Sequence, residues 1–158
     1  MKDFTLLLNT ASAEKIVEEL GSKLEHSDES PFWADKTIPL AGAILSILIP
    51  LRDQNLLFNP EGEPQESINT ELFLRWCDLV SLKTLAFTIQ KSNTAGRLVR
   101  TELSEDTACS YRPIDLEVLA TYLGKQGVDL ENESVDFPIA HYNLHIGIAD
   151  TIKKITQG

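Results

Sequence analysis

The sequence predicts an all-α protein: a compact helical bundle around a buried central helix at about residues 31–53, with a short extended segment at the N-terminus. Two observations carry this prediction. Apolar residues recur at three- and four-residue spacing along most of the chain, which is the period of an amphipathic helix. In addition, residues 38–51 form an apolar run with no polar stripe wide enough to face water, so other helices must cover it.

The composition limits the class of protein. With 158 residues, 42% of them hydrophobic, the chain is long enough for a single domain with a substantial core. The net charge of −10 argues against general affinity for nucleic acid, because phosphate binding depends on Lys and Arg. Cys77 and Cys109 lack the C-x-x-C spacing of a metal or redox motif, which indicates reduced cysteines in a cytoplasmic protein.

Near its N-terminus the chain has FTLLLN at residues 4–9, which predicts a short strand or an extended entry segment. A lone strand in a helical chain suggests that its partner strands lie outside this sequence. Ser12 is the predicted N-cap of a first helix, with Glu14 near the positive end of the helix dipole. Residues 25–30 are polar and predict a linker to the central helix.

The central helix is predicted to begin with Ser30 as N-cap and Pro31 at the first helical position. Small or cyclic residues interrupt its apolar run at four positions: Pro39, Gly42, Ser46 and Pro50. Because proline removes a backbone hydrogen bond, Pro39 is expected to kink or break the helix near residues 35–36, and Pro50 to end it. The run of 14 residues is too short for the roughly 20 that span a membrane, so we interpret it as a buried core helix.

The second half of the chain predicts a loop followed by further helices. The loop covers residues 54–68, around the turn-rich stretch NPEGEP. Capping residues and prolines give the predicted helix starts: Asn69 or Thr70, Ser81, Thr94, Pro113 and Pro138. The helix over residues 94–103 is the weakest of these, because it contains Gly96.

Motifs that indicate an enzyme are absent from the sequence, which has no G-x-x-x-x-G-K-[ST] phosphate loop, no G-x-G-x-x-G and no recognisable nucleophile motif. We therefore expect no catalytic residue, no cofactor and no metal in this chain. His141 and His145 have the i, i+4 spacing of metal ligands, but no H-E-x-x-H glutamate lies between them. A small helical metalloenzyme using these two histidines is one alternative.

One stretch runs against the acidity of the chain. Residues 79–101 contain no Asp or Glu, and they carry four cations: Lys83, Lys91, Arg97 and Arg100. These are the candidate phosphate-binding residues. Helical spacing places Lys83, Phe87 and Lys91 near one another, and an exposed Phe87 between cations could stack on a base. The alternative is a solvated helix face with Phe87 partly packed.

The stretch PFWADKTIPLAGAILSILIPLRD, preceded by FTLLLN and ASAEKIVEEL, resembles the all-α domain of type IV coupling proteins, the TraD/TraG-like ATPases of conjugation and type IV secretion. In that family a helix typically begins with an F-W-x-D-[RK]-A signature and continues into small and aliphatic residues. Four residues match this signature: Phe32, Trp33, Asp35 and Lys36. Thr37 stands where Ala is common, and the closing L-R-D at residues 51–53 is similar to the secretion-system and IncI-type branch.

The resemblance implies that this chain is one domain of a larger protein, a membrane-anchored, hexameric ATPase, from which it has been excised. In the parent protein the domain would be inserted between the Walker A and Walker B elements of the motor. The parent protein would bind ATP and magnesium at the cytoplasmic face of the inner membrane, whereas this chain would bind neither. Its expected role is recognition of a relaxase, a relaxosome accessory factor or a secreted effector. Weak contact with single-stranded DNA would be confined to residues 83–100. The alternative is a free-standing helical adaptor or regulator that binds other proteins.

Overall fold

The computed structural model describes residues 4–27, 31–98, 111–126, 128 and 139–157. Regular structure in this part of the chain is helical, apart from an isolated bridge between Phe58 and Pro64, and the predicted all-α class is confirmed. The described helices, in chain order, are α1 Phe4–Thr10, α2 Ala13–Glu25, α3 Pro31–Asp53, α4 Thr70–Arg75, α5 Leu79–Ala95, α6 Glu117–Lys125 and α7 Ile139–Gln157.

The N-terminal segment is a helix, so the predicted strand over residues 4–9 is wrong. Phe4 and Leu8 are fully buried one helical turn apart, whereas Leu6 between them is 61% exposed. In a strand these three side chains would share one face, but in a helix only the first and third do. Three consecutive leucines obscure the period, because a short apolar run fits a strand and a helix equally well.

The end of α1 is fastened to two distant parts of the chain. The side-chain amide of Asn9 donates to the Ile68 carbonyl at 2.8 Å, and its oxygen accepts from the Ile68 N–H at 2.8 Å. Arg52, in the last turn of α3, donates from Nη1 to the carbonyls of Leu8 at 2.9 Å and Ala11 at 2.7 Å. The guanidinium thereby satisfies carbonyls that the end of a short helix leaves without intrahelical partners.

The central helix α3 is continuous, so Pro50 does not end it, contrary to the prediction. Of the two effects predicted for Pro39, a kink or a break, the break does not occur. Each proline removes one backbone hydrogen bond. Most side chains between residues 40 and 51 are buried, and tertiary packing of this kind supplies most of the stability of a helix in a protein. Pro50 is also close to the end of α3, where the Gln54 N–H donates to the Pro50 carbonyl at 3.1 Å.

The centre of the bundle is α3, which packs most extensively against α2, α6 and α7. The buried side chains of all the described helices form one hydrophobic cluster. Within it, the rings of Phe4 and Phe73 meet edge-on with centroids 5.7 Å apart, as do Phe58 and Trp76 at 5.8 Å. Such pairs contribute about 0.5–1.5 kcal/mol beyond the burial of their area.

By length and composition α3 could also cross a membrane, and among the described helices it alone passes that test. Of its most apolar 18-residue window, 59% is buried inside the bundle. The core helix of a bundle passes the same test, and the burial agrees with the interpretation of α3 as a core helix.

Local capping sets the starts of three helices. Ser12 and Asn69 are the N-caps of α2 and α4, as predicted, and accept backbone N–H groups at 3.2 Å and 2.7 Å. The start of α5 is earlier than the predicted Ser81, because the Asp78 carboxylate accepts from the Ser81 N–H at 3.1 Å and is the N-cap.

The predicted helix over residues 94–103 does not form in its described part. Gly96 adopts the left-handed conformation with φ of +70° and ends α5. This is the conformation that glycine provides at the C-terminus of a helix without steric cost. Residues 99–103 lie outside the described part of the chain.

The helix α6 begins at Glu117 instead of the predicted Pro113. Asn93 of α5 explains the delay, because its side chain donates to the Ile114 carbonyl at 2.8 Å and accepts from the Ile114 N–H at 3.0 Å. Because the Ile114 N–H and carbonyl are bonded to a side chain of α5, they do not take part in helical hydrogen bonds. Asp115 then accepts from the Glu117 N–H at 2.9 Å. The predicted start of the last helix at Pro138 lies outside the described residues, which resume with α7.

The predicted loop at residues 54–68 is confirmed as non-helical. Its tight turn is organised by Asn59, whose side-chain oxygen accepts from the N–H groups of Glu61 at 3.0 Å and Glu63 at 2.9 Å. Gly62 supplies the positive φ of +82° that the turn requires.

Candidate functional site

An open groove of about 880 Å³ runs along one side of α3. It is lined by the junction of α1 and α2, by α2, by α3 and by the segment that starts α6. Its floor comprises half-buried Gly42, Ser46 and Pro50, beside the buried Leu45 and Ile49.

The floor corresponds to the interruptions in the apolar run of α3. Pro39, Gly42, Ser46 and Pro50 fall within an arc of about 80° when each residue turns the helix by about 100°. Small and cyclic side chains leave this stripe incompletely covered, whereas the rest of α3 between residues 40 and 51 is buried. The prediction that other helices cover α3 is confirmed for the rest of this segment, and this stripe is the side that they leave incompletely covered.

The rim of the groove is acidic. Its apolar wall residues are Ala13, Val17 and Val118, and the carboxylates that line it are Glu14, Glu18, Asp53 and Asp115. Arg52 is the cation among these lining residues, and its guanidinium is engaged with the end of α1. Arg52 also forms an ion pair with Asp53 at 3.0 Å. The groove thus combines an apolar floor with an excess of negative charge.

This groove is not foreseen from the sequence. Its rim carboxylates come from α2, the end of α3 and the segment before α6, and no local pattern joins them. One signal is present in the sequence: the four-residue spacing of Gly42, Ser46 and Pro50, which marks a single helix face.

The predicted basic site on α5 is not assembled as expected. Lys83 is only 3% exposed, so the prediction of a solvent-facing cation at this position is wrong. In each of two successive turns α5 buries a pair of adjacent residues. Its buried face is therefore wide enough to include Lys83 beside Leu82. The Lys83 Nζ lies 5.8 Å from the ring centroid of Phe87, which is itself half-buried, and this distance is within the range of a cation–π contact.

The other predicted cations are spread along the end of α5. Lys91 is exposed on the helix, Arg97 is exposed beyond its Gly96 end, and Arg100 lies outside the described residues. In the described part of the chain, phosphate binding on this stretch would depend on Lys91 and Arg97. Contact with single-stranded DNA stays a prediction.

The signature residues at the start of α3 divide into a packing group and an exposed group. Trp33 is half-buried against Gly147 of α7, where a Cβ atom would overlap the indole ring. Phe32 is 54% exposed and meets the Trp33 ring edge-on at 5.0 Å. Lys36 places its Nζ 5.8 Å from the Phe32 ring centroid, and Asp35 is exposed. Trp33 therefore joins α3 to α7.

Both ring nitrogens of the buried His145 are engaged by the protein. Nδ1 lies 2.8 Å from the Cys77 carbonyl oxygen and Nε2 lies 2.9 Å from the Tyr122 hydroxyl. Because a carbonyl can only accept, Nδ1 carries the proton, and in the neutral imidazole Tyr122 donates to Nε2. Burial raises the pKa of Tyr122 well above its ordinary value, which keeps this donor protonated.

The histidine pair does not define a metal site in the part of the chain that the structure describes. No group of three or more His, Cys, Asp or Glu side chains suited to a metal ion occurs there. The side chain of His141 lies outside that part, and the expected absence of a metal stays a prediction.

Cys77, whose carbonyl accepts from His145, is itself buried. Its Sγ lies 3.6 Å from the Phe73 carbonyl oxygen, and burial raises the pKa of the thiol to about 12. The thiolate is the reactive form of cysteine, and burial of this kind disfavours it.

Comparison of the chain with protein-family models, curated proteins and solved structures finds no match in any of the three. The resemblance to type IV coupling proteins accordingly stays a prediction from the signature at residues 32–36 and its flanks.

Proposed function

We propose that this chain is the substrate-recognition module of a type IV coupling protein. It would bind a relaxase, a relaxosome accessory factor or a secreted effector and present it to the ATPase motor of the parent protein. The observation that carries the proposal is the open acidic groove along α3. An apolar floor with a polar rim is the usual anatomy of a protein–protein interface.

The position of the groove links it to the family signature. The helix that begins with Phe32 and Trp33 also supplies the groove floor at residues 42–50. The signature fastens this helix to α7 through Trp33, so it would fix the helix on which the partner lies. In this proposal the signature is structural and the groove is the recognition surface.

The charge of the chain favours a protein partner over DNA. The net charge of −10 repels phosphate, and Lys83 is buried. The parent protein would supply the bound ATP and magnesium and the anchor to the cytoplasmic face of the inner membrane.

Binding of purified partners tests the proposal. The chain is immobilised and exposed to the purified relaxase and accessory factor encoded on the same genetic element. We expect saturable binding that weakens with salt, because rim carboxylates contribute. Absence of binding by the relaxase, the accessory factor and secreted effectors of that element would contradict the proposed function.

A free-standing helical adaptor is the second candidate. It is favoured by α1, because a helix at residues 4–10 needs no partner strand from a motor domain. The encoding gene separates the two candidates. A Walker A motif upstream in the same reading frame is expected for a coupling protein, and its absence would leave the adaptor.

A further inference from the structure

We propose that the groove along α3 binds a basic amphipathic helix of a partner protein. The apolar face of this helix would lie on Gly42, Ser46 and Pro50, and its Lys and Arg side chains would face the rim carboxylates. This inference deepens the proposed function and rests on it for the biological role of the partner.

The shape of the floor fits a helix. Gly42, Ser46 and Pro50 follow one another at one-turn intervals, and residues 42–53 extend over about 17 Å, or three helical turns. Beyond its chain neighbours and the backbone of its own helix, no atom lies within 4 Å of the position that a Cβ on Gly42 would occupy. Small side chains on one helix allow a second helix to approach closely, and apolar anchors one turn apart are how helices bind in grooves.

The charge of the rim selects a basic partner. Four carboxylates line the groove against one guanidinium, and that guanidinium is already engaged by carbonyls and by Asp53. Complementary charge accelerates encounter and fixes orientation, whereas like charge across an interface is costly.

The two longest stretches that lie largely outside the described residues do not carry the charge of such a partner. Residues 99–110 contain three acidic residues and one Arg, and residues 127–138 contain four acidic residues and no Lys or Arg. A second copy would bring another net charge of −10. The charge of the groove therefore favours a separate, basic protein segment.

The test measures binding of a labelled peptide to the whole chain by fluorescence anisotropy at low salt. The probe is a peptide of about 18 residues, five helical turns, made of Leu, Ala and Lys with Leu at helical spacing. The control peptide carries Glu in place of every Lys. We expect the Lys peptide to bind, the Glu peptide not to bind, and added salt to weaken the complex.

A matched pair of glycine substitutions locates the site. Gly42→Phe would fill the groove, and Gly124→Phe places the same side chain at an exposed position of α6 outside it. Beyond the chain neighbours and the backbone of its own helix, neither Cβ position has an atom within 4 Å. We expect Gly42→Phe to weaken peptide binding by about tenfold or more, because it occupies the centre of the interface. Gly124→Phe is expected to leave the affinity unchanged.

A second pair tests the charge without altering the floor. Glu18→Lys reverses a rim carboxylate, and Glu66→Lys makes the same change on an exposed loop residue that does not line the groove. We expect a loss of about threefold or more for Glu18→Lys and none for Glu66→Lys. Circular dichroism melts establish that each variant is folded, and the Glu18 pair keeps the test valid if Gly42→Phe unfolds.

Equal affinity of the Gly42→Phe and Gly124→Phe variants, equal binding of the two peptides, or no binding to the wild-type chain would each overturn the groove proposal. Self-association that Gly42→Phe abolishes would assign the groove to a second copy and also overturn it. If a purified relaxase binds both glycine variants equally, the groove is not the recognition surface and the groove proposal fails, whereas the role of the chain in substrate recognition stands. If the peptide binds but the relaxase, the accessory factor and the secreted effectors do not, the groove proposal stands and the proposed function fails.

Discussion

Gly42 and Gly147 meet opposite surroundings, although both lie inside long helices. A Cβ on Gly42 would enter open space, and a Cβ on Gly147 would overlap the Trp33 ring. Gly42→Ala is expected to raise the free energy of unfolding by about 0.5–1 kcal/mol, because glycine is a poor helix former. Gly147→Ala is expected to lower it by about 1–3 kcal/mol through overpacking.

Chemical denaturation of both variants measures these changes. A Gly147→Ala variant as stable as the wild type would show that Trp33 does not pack on α7. In that case the signature at the start of α3 would lose the structural role assigned to it.

The buried thiol of Cys77 makes stability depend on alkaline pH. Burial raises its pKa from 9.0 to about 12, so the unfolded chain releases this proton before the folded one. The contribution of the protonated Cys77 thiol to the free energy of unfolding is fully present below pH 9. It is lost between pH 9 and about 12, at about 1.4 kcal/mol per pH unit. Urea denaturation across this range, compared with Cys77→Ala, measures the slope, which the variant should reduce. Equal slopes for the two proteins would contradict the assignment.

At the scale of elements, Arg52 fastens α1 to the end of α3. Arg52→Ala removes two hydrogen bonds from a largely buried guanidinium to the carbonyls of Leu8 and Ala11. We expect a loss of about 2–3 kcal/mol in the free energy of unfolding, because hydrogen bonds to charged groups are the strong ones. Arg75→Ala is the control, since its ion pair with Glu61 is exposed and contributes less than about 1 kcal/mol. Equal losses in the two variants would contradict the role of Arg52.

The continuity of α3 leads to a prediction at Pro39. Pro39→Ala restores a backbone N–H to an exposed position inside a continuous helix, where proline is unfavourable by up to about 3 kcal/mol. We expect stability to increase by about 1–2 kcal/mol, because proline also restricts the unfolded chain. Thermal and urea denaturation measure the change, and a destabilised variant would show that the native backbone at this point requires proline.

The elements that the sequence predicts well are those whose period and caps are unambiguous. Ser12, Asn69 and the loop at residues 54–68 are confirmed because capping and turn chemistry are local. The start of α6 is missed because Asn93, more than twenty positions earlier, holds the Ile114 backbone. The strand predicted over residues 4–9 is wrong because the run of leucines does not distinguish a helical period from a strand period. The burial of Phe4 and Leu8, four residues apart, shows the helical period, and it is visible only in the structure.

The candidate site is harder to predict than the fold for the same reason. The burial of Lys83 depends on what covers α5, and the acidic rim depends on how three separate segments meet beside α3. Only the four-residue spacing of Gly42, Ser46 and Pro50 is visible in advance. Its meaning requires knowledge of which faces of α3 are covered.

At the scale of the whole molecule, the net charge of −10 opposes compaction. Salt screens repulsion between exposed carboxylates, including those gathered at the groove rim. We expect the unfolding temperature to rise by a few degrees between low and physiological ionic strength. Differential scanning calorimetry in sodium chloride measures this, and a falling unfolding temperature would show that attractive ion pairs dominate instead.

The groove floor belongs to α3, against which α2, α6 and α7 all pack. Binding of a ligand in the groove is therefore coupled to the stability of the helical bundle. A ligand that binds only the folded chain at one hundred times its dissociation constant stabilises it by about 2.7 kcal/mol. Slower amide hydrogen exchange along α3 would then report binding from inside the protein. The same linkage makes α3 a route by which a bound partner influences helices that it does not touch.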